Sequence, residues 1–253
     1  MRPPLRIAVL ECDEPLTNTK NKYGGYGGVF EALLRASAAT LDPSDAIDTD
    51  SGLQISKWDI VNKSDSYPKL EDIDAVLISG ARYNSYDSTP WILKLVDFTK
   101  QILAQDRVRV IGVCFGHQIL GRALGAKVGP NDAGWEVSVH DINLTEEGKK
   151  ILGLEKLRLQ QMHRDIVHNY PPAVIPLGFT PRCEVQGMYS PRRFISVQGH
   201  PEFTEEIVIE LLHTRKYMGA FPPGIYEEGM ENVAREHDGI AVGKAFIRFA
   251  AEE

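Results

Sequence analysis

The sequence predicts an α/β fold: a central, mostly parallel sheet flanked by helices, with a small mixed or antiparallel extension. Three observations predict it. Apolar, β-branched runs at residues 6–11, 73–79 and 107–113 alternate with segments of helical character, the order that builds a parallel sheet covered on both faces. At Gly112-Val113-Cys114-Phe115-Gly116 a strand-like run passes directly into a helix-like one. After Pro130 the apolar runs become short and closely spaced, as in strands joined by turns. The 253 residues, 43% hydrophobic and 25% charged, suffice for a substantial core. Residues 1–253 are expected to form one domain, with 219–253 as a linker and C-terminal helical extension.

Taken in order, Arg6 to Glu11 is the first strand, with Ile7-Ala8-Val9-Leu10 apolar throughout. Tyr23-Gly24-Gly25-Tyr26-Gly27-Gly28 reads as a flexible loop or substrate rim before a helix from Val29 to Ala36. Its glycine spacing fits neither the dinucleotide nor the nucleoside-triphosphate fingerprint. Gly52 to Val61 is a second strand. Ile73 to Ser79 is a buried strand ending at Gly80, and Pro90 opens an amphipathic helix, proline being tolerated in a first turn. Arg107 to Val113 is the strand before Cys114, and Gln118 to Leu124 continues as helix. Beyond Pro130, short strands are expected at 135–142, 157–162, 173–178, 184–189 and 194–198, with Thr145 capping a short helix between the first two. A helix from Thr204 to Tyr217 follows Pro201. Gly219 to Gly224 is a linker, and a final helix is expected between Tyr226 and Phe249.

Composition removes several function classes. A formal net charge of −7, with no dense basic patch, argues against a nucleic-acid partner. Cys12, Cys114 and Cys183 are widely separated and odd in number, which suggests neither a disulfide framework nor a thiolate metal site. The start, Met1-Arg2-Pro3-Pro4-Leu5-Arg6, runs into a strand too short to be a signal-peptide core, and no apolar run reaches membrane-spanning length. A cytoplasmic protein without membrane association is the expectation.

Cys114 is the candidate nucleophile. On a strand-to-helix turn its sulfur would meet the unpaired amides and positive end of a helix, which favour the thiolate, while Gly112 and Gly116 allow the close turn. An ordinary thiol is only a few per cent thiolate at pH 7, so such help matters. The backbone N–H of Phe115 would help bind the oxyanion formed when a carbonyl is attacked. The structural alternative is a buried strand-end cysteine, the usual fate of that residue. A second element weighs against it: Val197-Gln198-Gly199-His200-Pro201-Glu202-Phe203 ends another apolar strand at a glycine and presents a histidine with a carboxylate two residues on. His200 would take the thiol proton and return it to the leaving amine, and Glu202 would hold the useful tautomer. His117 is assigned to packing and hydrogen bonding. The remaining histidines show no metal-ligand spacing, so no metal is expected.

Together, Gly112-Val113-Cys114-Phe115-Gly116-His117-Gln118 and Gly199-His200-Pro201-Glu202-Phe203 closely resemble the class I glutamine amidotransferase family, including its GMP synthase glutaminase-like and gamma-glutamyl peptidase-like branches. The resemblance covers roughly residues 5 to 215. It implies a flavodoxin-like layered fold, a Cys114-His200-Glu202 triad and attack on a γ-glutamyl amide to give a glutamyl-thioester, with no cofactor. It also implies an oxyanion donor from Ser79-Gly80-Ala81-Arg82-Tyr83, at Gly80 or Ala81, paired with Phe115. This chain departs from the family's glycine run there by carrying Ala81 and then Arg82. Gln118 matches the family's glutamine-recognition position. Gln161-Met162-His163-Arg164-Asp165 resembles a segment near the mouth of the site, so His163 and Asp165 are expected at the glutamyl group. Trp135-Glu136 resembles another family segment that would form a rim or a glutamate-binding strand, so Trp135 and Glu136 are expected to bind substrate there.

The substrate expected is a small γ-glutamyl compound: glutamine, glutathione or a glutathione conjugate. Tyr23, Arg82 and Tyr83 are expected at the substrate rim. After Phe221 too little chain remains for a synthetase and no phosphate-binding motif occurs, which favours a free-standing hydrolase. Two alternatives stand beside it: a glutaminase subunit supplying ammonia to a separate synthetase, and a catalytically weak partner-binding protein that retains the fold.

Overall fold

The computed structural model describes residues 4–49 and 51–252; Met1 to Pro3, read above for a leader, lie outside the described residues. β1 (Leu5–Glu11) lies between β2 (Leu53–Asp59) and β3 (Ala75–Ile78), parallel to both, and β3 pairs in parallel with β4 (Arg109–Val113). β4 is bordered in turn by parallel β11 (Phe194–Val197), in register Val113 to Val197. The sheet then turns antiparallel through β10 (Gly187–Ser190), β9 (Ile175–Phe179), β6 (Glu136–Leu144) and β7 (Leu157–His163). β5 (Val128–Pro130) and β8 (Asp165–Val167) form a separate two-stranded ribbon.

Alternation along β1 explains its unbroken apolarity. Leu5, Ile7 and Val9 face one layer, while Ala8 and Leu10 face the other. On the first face lie α2 (Tyr26–Ala38) and α8 (Gly239–Ala251), with Phe30, Leu34, Val242 and Phe246 against Ile7, Leu77 and Ile111. On the second lie α3 (Pro90–Leu103) and α4 (Phe115–Ala123), with Ile92, Leu95, Ile119 and Leu120 against Leu10, Ile78 and Val110. Thr145 caps α5 (Glu146–Leu152) by accepting the Gly148 N–H at 2.9 Å, and Gly153 ends it in the left-handed region at φ +68°. Because β1, β3, β4 and β11 are parallel, their carboxyl ends share one edge. Ser79-Gly80, Cys114 and Gly199-His200 emerge there together, as ligand-binding residues do in open α/β sheets.

The structure differs from the sequence reading in several places. The glycine-rich stretch is not a loop: Gly27 and Gly28 lie within α2, which follows the short helix α1 (Thr17–Tyr23). A side chain at Gly28 would meet the Tyr23 carbonyl, so glycine is what lets the two helices join closely. The Gly27 N–H at the start of α2 donates to Glu11 at 2.7 Å, leaving the helix N-terminus paired with a carboxylate of the protein itself. The single helix expected over 226–249 is two, α7 (Ile225–Asn232) and α8. The break occurs where Asp238 exchanges hydrogen bonds with Arg158 of β7 and Gly239 presses on the Pro201 carbonyl. The last secondary element before α7 is α6 (Glu205–Tyr217), capped by Thr204. Among the described residues no helix is long and apolar enough to cross a membrane.

Candidate active site

The backbone at Cys114 is strained. Its φ of +51° and ψ of −102° fall where side-chain-bearing residues rarely sit, and such strain persists only when the surroundings impose it. They do so here from both sides. The Cys114 N–H donates to the Val197 carbonyl at 3.0 Å and its own carbonyl accepts from Gln118 N–H at 3.0 Å. A Cβ on Gly116 would lie 2.2 Å from the Ile78 carbonyl oxygen, so the first turn of α4 rides directly on β3. The result is a sulfur at a helix N-terminus, 5% exposed, on the wall of a cavity of about 490 Å³.

His200 reaches the same cavity from the end of β11. Its backbone N–H donates to the Gln160 carbonyl at 2.8 Å, and its ring lies flat on Phe203, 3.9 Å between centroids and 3° from parallel. Nδ1 is 2.8 Å from Oε1 of Glu202. With that nitrogen engaged, Nε2 is the ring nitrogen left for the Cys114 sulfur, which is close enough for its charge to act on the imidazole. Burial opposes the cation, but the charges of Glu202 and Cys114 and the hydrogen bond that the ring donates to Glu202 outweigh it, and the imidazole pKa is raised to about 10. Glu202 is itself buried, with its second oxygen lacking a hydrogen-bond partner among the described residues.

Of the backbone donors near the sulfur, the Ser79 N–H is committed to Leu10 and the Arg82 N–H to Asp13. That leaves Gly80 and Ala81 on one side and Phe115 at the start of α4 on the other. Gly80 is tightly constrained, since a Cβ there would lie 2.7 Å from Cε1 of His200.

The other expected residues divide. Gln118, Trp135, His163, Asp165, Arg82 and Tyr83 line the cavity. The Gln118 amide is already engaged, accepting from Ser85 at 2.9 Å and donating to the Asp165 carbonyl at 2.8 Å. Glu136 is not among the lining residues. It lies behind His163, 3.0 Å from Nε2, and accepts from Thr180 at 2.6 Å and Gln186 at 2.8 Å. Burial opposes its negative charge, but these partners hold its pKa below the ordinary value. Tyr23 also lies off the cavity wall, and Tyr26, the first residue of α2, takes the lining position. His117 is fully buried away from the cavity, with Nδ1 2.9 Å from Ser196 Oγ. Burial pulls its pKa down to about 3. Cys12 and Cys183 are buried, and burial pushes both thiols up.

Sequence reasoning missed Asp13 and Arg215 on the wall and Phe203 beneath the imidazole. Phe203 had a local signal, being one residue past Glu202. Asp13 and Arg82 are 69 residues apart, and only the β1–β3 pairing brings their loops together.

A parallel sheet carrying a cysteine on a strand-to-helix elbow, with a histidine–carboxylate pair at the next strand end, defines a class of α/β proteins whose site is built on such an elbow. Within that class the chain belongs to the class-I glutamine amidotransferase family, whose model matches residues 47–208. It is 31% identical to a putative glutamine amidotransferase-like protein of Schizosaccharomyces pombe, over 97% of this chain and 98% of that one. It is 32% identical to gamma-glutamyl peptidase 4 of Arabidopsis thaliana, over 76% of this chain and 74% of that one. The fold is flavodoxin-like: a glutamine amidotransferase from Thermotoga maritima superposes with a TM-score of 0.74 at 17% identity, covering 97% of this chain and 98% of that one.

Proposed function

We propose that the protein hydrolyses γ-glutamyl amide bonds through a cysteine-linked glutamyl-thioester. The observation that carries this reading is the 2.8 Å His200–Glu202 contact beside the strained Cys114. Cys114 and His200 start as a thiolate–imidazolium pair, the thiol proton already held on His200, and the thiolate attacks the γ-carbonyl carbon. The new C–S bond places a negative charge on the carbonyl oxygen, which Phe115 N–H and that of Gly80 or Ala81 stabilise. Collapse breaks the C–N bond, and the His200 proton passes to the leaving amine. A water then gives its proton to His200 and adds to the thioester, and rupture of the C–S bond releases glutamate and regenerates Cys114. Glu202 fixes the ring and favours its cation throughout.

A cavity of about 490 Å³ has room for more than glutamine alone, which supports γ-glutamyl peptides and their conjugates as substrates. The similarity to gamma-glutamyl peptidases points the same way. The test is to incubate purified protein with glutamine, glutathione and a glutathione S-conjugate and to follow glutamate and amine by mass. Release from the peptides is expected. Release from glutamine alone would favour a glutaminase subunit serving a separate synthetase, and no turnover with no trapped acyl-enzyme would sink the hydrolase reading.

A further inference from the structure

One guanidinium on the cavity wall is left without a carboxylate partner among the described residues. Arg82 spends its guanidinium on Asp13 at 2.8 Å and on the Glu14 carbonyl, and Glu14 pairs with Lys20. Arg164 faces Asp165 at 3.4 Å. Arg215, on the last turn of α6, lines the same cavity half-buried, yet among the described residues it has no carboxylate or carbonyl partner. Its guanidinium is instead held over the Trp135 ring, 5.2 Å from the centroid. Burial pulls its pKa below the ordinary value, while the Cys114 and Asp13 charges pull the other way, as expected of a cation facing into the site.

The flank on which it sits identifies its ligand. The group that protonates the leaving amine is on the amine's side of the scissile bond. That group is His200, and the flank runs from His200 over Phe203 and Tyr26 to α6, which carries Arg215. Gln118 and Asp165 also line the cavity, joined to each other through a hydrogen bond from the Gln118 amide to the Asp165 carbonyl, and neither is part of that flank. Next to Arg215 the wall is apolar, formed by Trp135, Leu211 and Met218. From this geometry we infer that Arg215 binds a carboxylate on the amine-side product, so that the site selects γ-glutamyl peptides ending in a free carboxylate and tolerates an apolar substituent beside it. This rests on the hydrolase reading for which side of the bond is which.

The test compares γ-glutamylcysteinylglycine with its C-terminal amide, which differ only at the carboxylate. A charge-assisted hydrogen bond is worth one to two decades, so the wild-type kcat/KM should favour the acid by about 10- to 100-fold. In Arg215→Gln that ratio should fall to within about twofold, carried by KM, and Arg215→Lys should restore part of it. Equal use of acid and amide by the wild-type protein overturns the inference, whatever the variants do. So does an unchanged ratio in Arg215→Gln. Calorimetric binding of the two ligands to Cys114→Ala protein separates the readings. Binding that prefers the acid, in a protein whose wild-type form turns over nothing, keeps the anion site and removes the hydrolase. Turnover without acid preference does the reverse.

Discussion

The space a Cβ would need at Gly80 lies 2.7 Å from Cε1 of His200. The imidazole cannot retreat from an added methyl, because Glu202 holds Nδ1 and Phe203 lies against the ring face. Gly80→Ala should therefore push the ring off the Cys114 sulfur, with a fall in kcat of about 100-fold, since small displacements of reacting groups are costly. The thermal midpoint should move by no more than about 4 °C. Steady-state kinetics and a melting curve of the same preparation check both halves.

Phe203 stacks flat on the His200 ring, so the proposed reaction should depend on it through the plane of that ring. Phe203→Leu keeps an apolar filler among Tyr26, Ile207 and Val208 but gives up the flat stack. A stability cost of about 1–3 kcal/mol is expected from the lost volume. The sign of a positioning role is a fall in kcat of roughly tenfold with KM little changed. A purely structural role would leave kcat per folded molecule unaltered.

Glu202 raises the pKa of His200, and its removal has a definite pH signature. In the native protein the charges of Glu202 and Cys114 hold the imidazole pKa above the ordinary value against the opposing effect of burial. Glu202→Gln removes one of the two charges that sustain the cation, so the alkaline limb of the kcat/KM profile should move to lower pH. The rate should drop by roughly 100-fold, less than for Cys114→Ala or His200→Ala. An alkaline limb that stayed in place would contradict the role given to Glu202.

His117 sets an acid limit on stability. It is buried neutral, with a pKa lowered to about 3, whereas in the unfolded chain it titrates near the ordinary value of 6.5. The unfolded state thus takes up a proton that the native state refuses, so the contribution is whole above pH 6.5 and is lost as pH falls toward 3. Urea unfolding at pH 7 and pH 4.5 should show a steeper loss for the wild-type protein than for His117→Gln, in which this group no longer titrates.

The parallel half of the fold was legible because its signals are local. Ile7 to Leu10, Ala75 to Ile78 and Val110 to Val113 are apolar on both faces, and each leads within three residues to one that lines the cavity, Asp13, Gly80 and Cys114. What escaped depended on distant partners. Glu136 sits behind His163 because β6 and β7 pair those two residues directly, a register that nothing in either segment announces. Helix α1 is polar along most of its length and offers no periodic apolar stripe. Gly27 and Gly28 look like a loop until Glu11 and Tyr23 are seen to require them inside a helix. Arg215 lies on a helix of weak amphipathic pattern, and only the placement of Trp135 turns it toward the cavity.

The central claim is that Cys114 carries the glutamyl group. The most direct measurement is the intact mass of protein quenched in acid during turnover of a γ-glutamyl peptide, followed by mapping of the modified peptide. A gain of one glutamyl group on the segment containing Cys114, absent from Cys114→Ala and chased away by water in the wild-type protein, is the predicted result. Full turnover by Cys114→Ala, or an adduct on any other residue, would contradict it.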